Sequence, residues 1–196
     1  MKKLLILAIS LCAVSFTANA QKSWLNTAKK VATESADQAT GGKVTSKTIV
    51  GAWQYKAPAT RIIGKDKTLS AGSAVLGAAM SDQMAEVFDN TGIKRGFCSI
   101  TFRKDGKFSM PIKGKTISGS YSYSSSSHVV TLRVFKSKYG TFTGYAYVSG
   151  RSLQLLLPAD KFVTFMSEIG AKSSSMSSFT TKSKKGDVYL GFEFEK

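Results

Sequence analysis

The sequence predicts a mainly β protein: about eight antiparallel strands in an up-and-down barrel, with a helical insert between strands 1 and 2 and a helix before the last strand. Three observations carry that reading. Between Phe97 and Leu157 apolar side chains recur every second residue, as in Ile100 and Phe102, then Phe108, Met110 and Ile112, then Val130, Leu132 and Val134. That is the period of half-buried strands. Turn residues punctuate the same stretch at short intervals: Lys104-Asp105-Gly106, Lys113-Gly114, Ser124–Ser127, Lys136–Gly140 and Ser149-Gly150. One further strand stands on each side, Gly51–Tyr55 and Val188–Phe194. An even number of strands lets the last pair antiparallel with the first, which removes both edges.

The chain begins with a segment expected to lie outside the fold. Lys2 and Lys3 precede an apolar run from Leu4 to Phe16, and Ala18-Asn19-Ala20 is a small-x-small cleavage pattern. Residues 1–20 thus read as a cleaved signal peptide, with Gln21 the mature N-terminus. Cys12 follows Leu11, not the small residue that lipoprotein processing needs. An exported protein follows, periplasmic, outer-membrane-associated or extracellular, in a bacterial envelope. Only Cys98 survives cleavage, so no intramolecular disulfide is expected. It shares parity with Ile100 and Phe102, which makes it a buried, inert thiol.

Residues 21–48 read as a leader outside the core. Trp24, Leu25, Ala28, Val31 and Ala32 share one helical face, and Gly41-Gly42 would end that helix. The barrel domain is expected over 49–196. Its first strand is expected to stop at Pro58, which has no N–H for a ladder. From Thr68 to Asp89 the period becomes helical, with Leu69, Leu76, Met80, Met84, Val87 and Phe88 on one seam and Gly92 as a stop. Such an insert, over about 68–90, would lie across a barrel mouth as a plug or as a lid.

In the stretch 141–148 two faces compete, Tyr145 and Tyr147 against Phe142, Ala146 and Val148. After Pro158, Asp160 is expected to cap a helix carrying Phe162, Val163, Phe165, Met166 and Ile169 and ending near Gly170. Lys172–Gly186, rich in serine and lysine, reads as a surface segment.

Several pieces together resemble a lipocalin-like family of unknown function, small secreted proteins of anaerobic Gram-negative bacteria. They are IVGAWQYKAP from Ile49, LSAGSAV from Leu69, FRKDGKF from Phe102, SGSYSY from Ser118, Ala159-Asp160-Lys161 and GFEF from Gly191. The Gly51-x-Trp53 tripeptide is similar to the opening of lipocalin-like barrels, where the indole closes one end. The resemblance implies a meander barrel with a helical insert and brings no catalytic residues.

Chemistry has few candidates. His128 is the one histidine, which excludes a histidine-based metal site. No G-x-S-x-G, P-loop or G-x-G-x-x-G motif occurs, no cofactor is implied, and the acidic residues are all expected on the surface. Charge is the strongest compositional signal: 28 Lys+Arg against 12 Asp+Glu give +16, and without Lys2 and Lys3 the balance is 26 against 12, or +14.

Three functions are weighed, in this order. The first is a non-enzymatic binding protein holding a small apolar molecule in the barrel. Its lining would come from Trp53, Tyr55, Phe102, Phe108, Met110, Tyr121, Leu132 and Leu155, with Met80 and Met84 on the lid. It requires a cavity of roughly 300–1,000 Å³, and a barrel filled by its own side chains argues against it. The second is a closed module binding an envelope polyanion or protein through its basic surface, with no specific recognition of nucleic acid. The third, a hydrolase, needs ionisable groups converging near His128.

Overall fold

The computed structural model describes residues 37, 39–62, 80, 83–112, 114–136, 140–171, 176, 179 and 188–196. The segment 1–20 read as a signal peptide, most of the expected leader, most of the expected insert before 83 and most of the segment after 171 lie outside them.

Eight strands close into one barrel: β1 Gly51–Ile62, β2 Ser99–Phe102, β3 Lys107–Ile112, β4 Lys115–Ser124, β5 Val129–Val134, β6 Thr141–Ser149, β7 Ser152–Pro158 and β8 Val188–Glu195. Each pairs antiparallel with the next, and β8 returns to β1. Gly51 and the β2–β3, β4–β5 and β6–β7 turns mark one end of the barrel. Ile62 and the β3–β4 and β5–β6 turns mark the other. In β8, Gly191 lets the backbone of β7 come close: a Cβ there would sit 1.8 Å from the Leu155 carbonyl oxygen.

Two strand boundaries differ from the sequence reading. β1 runs through Pro58 to Ile62, with a register shift between Tyr55 and Ala57. Only Gly51–Gln54 register with β2. Past Tyr55, whose N–H still bonds Cys98 O, β1 pairs among the described residues on the β8 side alone, and an edge of that kind tolerates a proline. At the other boundary, β2 starts at Ser99, and Phe97 stands outside it, 74% exposed.

Two short α-helices, a single 3-10 turn at Ser125–Ser127 and a helical stretch over 83–91 accompany the strands among the described residues. Helix α1, Lys43–Thr48, belongs to the leader, and α2, Ala159–Glu168, joins β7 to β8. The stretch 83–91 and α2 end by the same device. Gly92 and Gly170 take positive φ. Ile93 N–H reaches back to Phe88 O and Gly92 N–H to Asp89 O, and likewise Ala171 N–H to Met166 O and Gly170 N–H to Ser167 O, the paired bonds of a Schellman stop. Asp160 is not the cap of α2: Pro158 occupies that position, and Asp160 lies in the first turn.

The alternating strands put one face in and one out. Phe142, Ala146 and Val148 are buried, while Tyr145 and Tyr147 lie half-buried on the other face. Cys98 is buried on the core face with Ile100 and Phe102. Burial pushes its thiol up to about 12, because a thiolate there would lose its hydration. The serine- and lysine-rich segment after 171 is not wholly on the surface, since Met176 and Phe179 are fully buried in the core.

Candidate functional site

The barrel interior is built from both ends. At one end Trp53 donates its indole N–H to Ile49 O at 2.7 Å. The Lys196 ammonium stands 4.0 Å from the centre of the indole ring and donates to Thr48 O and Val50 O. An ammonium over an aromatic face gains from the ring quadrupole, and partial burial lowers the Lys196 pKa.

At the other end the helical elements send rings into the barrel. Phe88, from 83–91, stacks on Phe192 of β8 at 5.1 Å between centroids and meets Tyr55 edge-on at 5.6 Å. Phe162 of α2 lies 5.8 Å from Phe192, and Phe165 meets Phe142 at 5.3 Å. These spacings are van der Waals contact between rings, so this part of the interior is occupied by protein.

The structure brings nine of the ten expected lining residues into that one core: Trp53, Tyr55, Met80, Met84, Phe102, Phe108, Met110, Leu132 and Leu155 are all buried in it. Tyr121, the tenth, is half-buried against the same core, and its hydroxyl donates to Arg103 O at 3.0 Å. Met80 and Met84 are fully buried in that same core.

A polar cluster at the Trp53 end has no counterpart in the sequence reading. Asp37, expected on the surface, is 2% exposed. Its carboxylate accepts from Thr45 N–H at 2.9 Å and from the Thr45 hydroxyl at 2.5 Å. The Thr45 oxygen accepts in turn from Val148 N–H of β6 at 2.8 Å. His128 Nδ1 lies 3.5 Å from Asp37 Oδ2 and 3.1 Å from the Tyr123 hydroxyl. Burial pushes the Tyr123 phenol up to about 12, so it stays protonated. Gly42 allows the leader to cross the β4–β5 turn, where a Cβ would come 2.1 Å from Ser125 O. The described part of the leader, 37 and 39–48, is therefore docked on the barrel. In this cluster the carboxylate, hydroxyl and imidazole are turned on one another, and the arrangement fastens the leader to β6.

On the outside, ion pairs join Lys56 to Glu193, Lys94 to Asp89, Arg95 to Glu195, Arg103 and Lys107 to Asp105, and Lys161 to Asp160. Lys43, Lys47, Lys104, Lys115, Arg133 and Lys136 are exposed and take part in none of them. Among the described residues no three His, Cys, Asp or Glu side chains gather as metal ligands, and no helix is long and apolar enough to cross a membrane.

A closed, eight-stranded, up-and-down barrel with an indole at one end and helices at the other is a lipocalin-like architecture. The chain belongs to the lipocalin-like domain family (DUF4923), which matches residues 22–196. A crystal structure of a duf4847 family protein from Bacteroides vulgatus is similar to it at 14% identity and a TM-score of 0.38, covering 78% of this chain and 96% of that one. No curated protein matches the chain.

Proposed function

We propose that this protein is an exported lipocalin-like module that acts through its basic outer surface on an anionic polymer of the bacterial envelope. The observation that carries this reading is the occupied interior: Phe88, Phe162 and Phe165, from elements outside the barrel wall, pack on Phe192 and Phe142 where a ligand would sit. With that part of the interior occupied, the feature left for recognition is charge, +16 over the whole sequence and +14 without Lys2 and Lys3. The chain's exposed cations, several of them outside the ion pairs of the described residues, attract anionic partners at long range. The test is calorimetric titration of the mature chain with heparin at 0.05 M and 0.3 M NaCl. Binding that weakens steeply with salt is expected, because each neutralised cation releases a counterion. Absence of binding at low salt, or salt-independent binding, overturns the reading.

A second reading is favoured by one specific feature, the pliable Met80 and Met84 beside Phe88 in the insert. Withdrawal of the insert would open an aromatic-lined cup for a small apolar molecule, and thioethers adapt to such guests. Native mass spectrometry of the protein purified from its host separates the two. A co-purifying small mass supports this second reading, and a bare chain supports the first.

A further inference from the structure

We propose that the polymer lies on the outer wall of β3–β6 and that it is an acidic polysaccharide; this rests on the surface-binding reading above. Directly opposed residues in an antiparallel sheet carry Cβ atoms about 4.5–5.5 Å apart on one face. Lys107 is opposite Ser120, and Ser120 is opposite Arg133. A hydroxyl is thus bracketed by two cations in one row across three strands. In the next row on the same face, Ser122 is opposite Thr131 and Thr131 is opposite Thr143, with the two threonine hydroxyls 3.4 Å apart.

These rows alternate with Phe108, Leu132 and Phe142 of the core, which fixes their outward parity. Among the described residues Arg133 is exposed and carries no ion pair, while Lys107 has only a long contact with Asp105 at 3.9 Å. Hydroxyl rows both donate and accept, which suits the hydroxyls of sugar rings. Lys107 and Arg133 suit the carboxylate or sulfate groups, Arg133 in a bidentate fork. Phe135, 49% exposed, continues the parity of Arg133 beyond the strand and offers a ring to the C–H face of a sugar. A single-stranded nucleic acid would want several such rings for successive bases. Tyr145 and Tyr147 of β6 also face outward, but they are half-buried against Tyr189, His128 and Arg61. Phe135 is the exposed ring among the described residues of this wall, beside hydroxyls in both rows, so the glycan fits better.

The experiment measures affinity of the mature chain for heparin and for single-stranded DNA at 0.15 M NaCl, with circular dichroism checking each fold. Lys107→Glu/Arg133→Glu is expected to weaken heparin binding about tenfold or more and to flatten the salt slope by about two. Lys43→Glu/Lys47→Glu, the same charge change on α1, is expected to cost less than about threefold. Ser120→Ala/Thr131→Ala keeps the charge and is expected to weaken heparin about threefold while leaving DNA unchanged. Equal losses in the two charge variants overturn the wall as the site while leaving surface binding intact. A hydroxyl variant that binds heparin normally, or that loses DNA equally, overturns the glycan. A wild-type chain that binds no heparin overturns the surface reading itself, and this proposal with it.

Discussion

A carboxylate with 2% of its surface exposed persists only where donors meet it, and Asp37 takes two from Thr45 and faces His128 Nδ1. Asp37→Asn keeps one acceptor but turns an amide N–H toward the Thr45 hydroxyl or the imidazole. The expected cost is about 1–3 kcal/mol, read as a lower melting temperature with faster amide exchange at Val148. An unchanged melt would remove the latch role. Nothing local announces this residue: it sits among alanine, serine and threonine in the leader, and its chain of bonds reaches Val148 across the fold. Cys98 was legible for the opposite reason, since its parity with Ile100 and Phe102 is a local fact. Its thiol is raised from 9.0 to about 12 by burial, so folding favours the protonated form. That contribution to stability is complete below pH 9 and is lost as pH rises from 9 toward 12, with Tyr123, also raised to about 12, adding to the loss above pH 10. Denaturant midpoints are expected to fall between pH 8 and 10.5, less steeply in Cys98→Val. Equal falls in both proteins would show that the thiol plays no part.

Among the elements, the stretch 83–91 binds the helices to the barrel through one ring. Phe88 touches Phe192, Tyr55 and Phe162. Phe88→Ala removes those contacts and leaves a cavity that the barrel wall cannot collapse to fill. A loss of about 3–5 kcal/mol is expected in chemical denaturation. The new void should also take up a small apolar molecule such as benzene, seen as a rise in melting temperature on its addition. A loss under 1 kcal/mol would mean that the insert is not part of the core. The helical period made the seam Met80, Met84, Val87 and Phe88 readable, and Gly92 gave its end. What it packs on was not readable, because periodicity tells which face is apolar and not which partner covers it. The same limit explains the candidate lining. Parity found its inward positions, yet an inward aromatic reads alike whether it faces a ligand or Phe88. Pro58 misled for a different reason. A proline stops a strand only where both sides are paired, and the sequence does not show that β1 has parted from β2 beyond Gln54.

For the whole molecule, closure and charge act on one another. The pairing of β1 with β8 leaves no terminal strand edge, so the barrel opens as a unit and an added load is felt by the entire fold. The load is +14 of formal charge once Lys2 and Lys3 are set aside. The ion pairs among the described residues lie mostly at exposed positions, where such pairs contribute about 0–1 kcal/mol each. Repulsion among cations such as Lys43, Lys47, Lys104, Lys115, Arg133 and Lys136 is therefore poorly offset. Raising the salt from 0.01 M to 0.15 M shortens the Debye length from about 30 Å to about 8 Å. That quenches repulsion across the barrel while pairs as close as Lys56–Glu193, at 2.8 Å, are less affected. The melting temperature is expected to rise by a few degrees over that range. A polyanion should do more than chloride, since it binds the folded surface instead of only screening it. Heparin at a hundredfold excess over its Kd stabilises by about 2.7 kcal/mol, which for a chain of this size is about 5–10 °C. Scanning calorimetry in 0.15 M NaCl with and without heparin checks this. A fall with salt would mean that local pairs outweigh the net charge, and a melt unmoved by heparin would leave the basic surface without a polymer to bind.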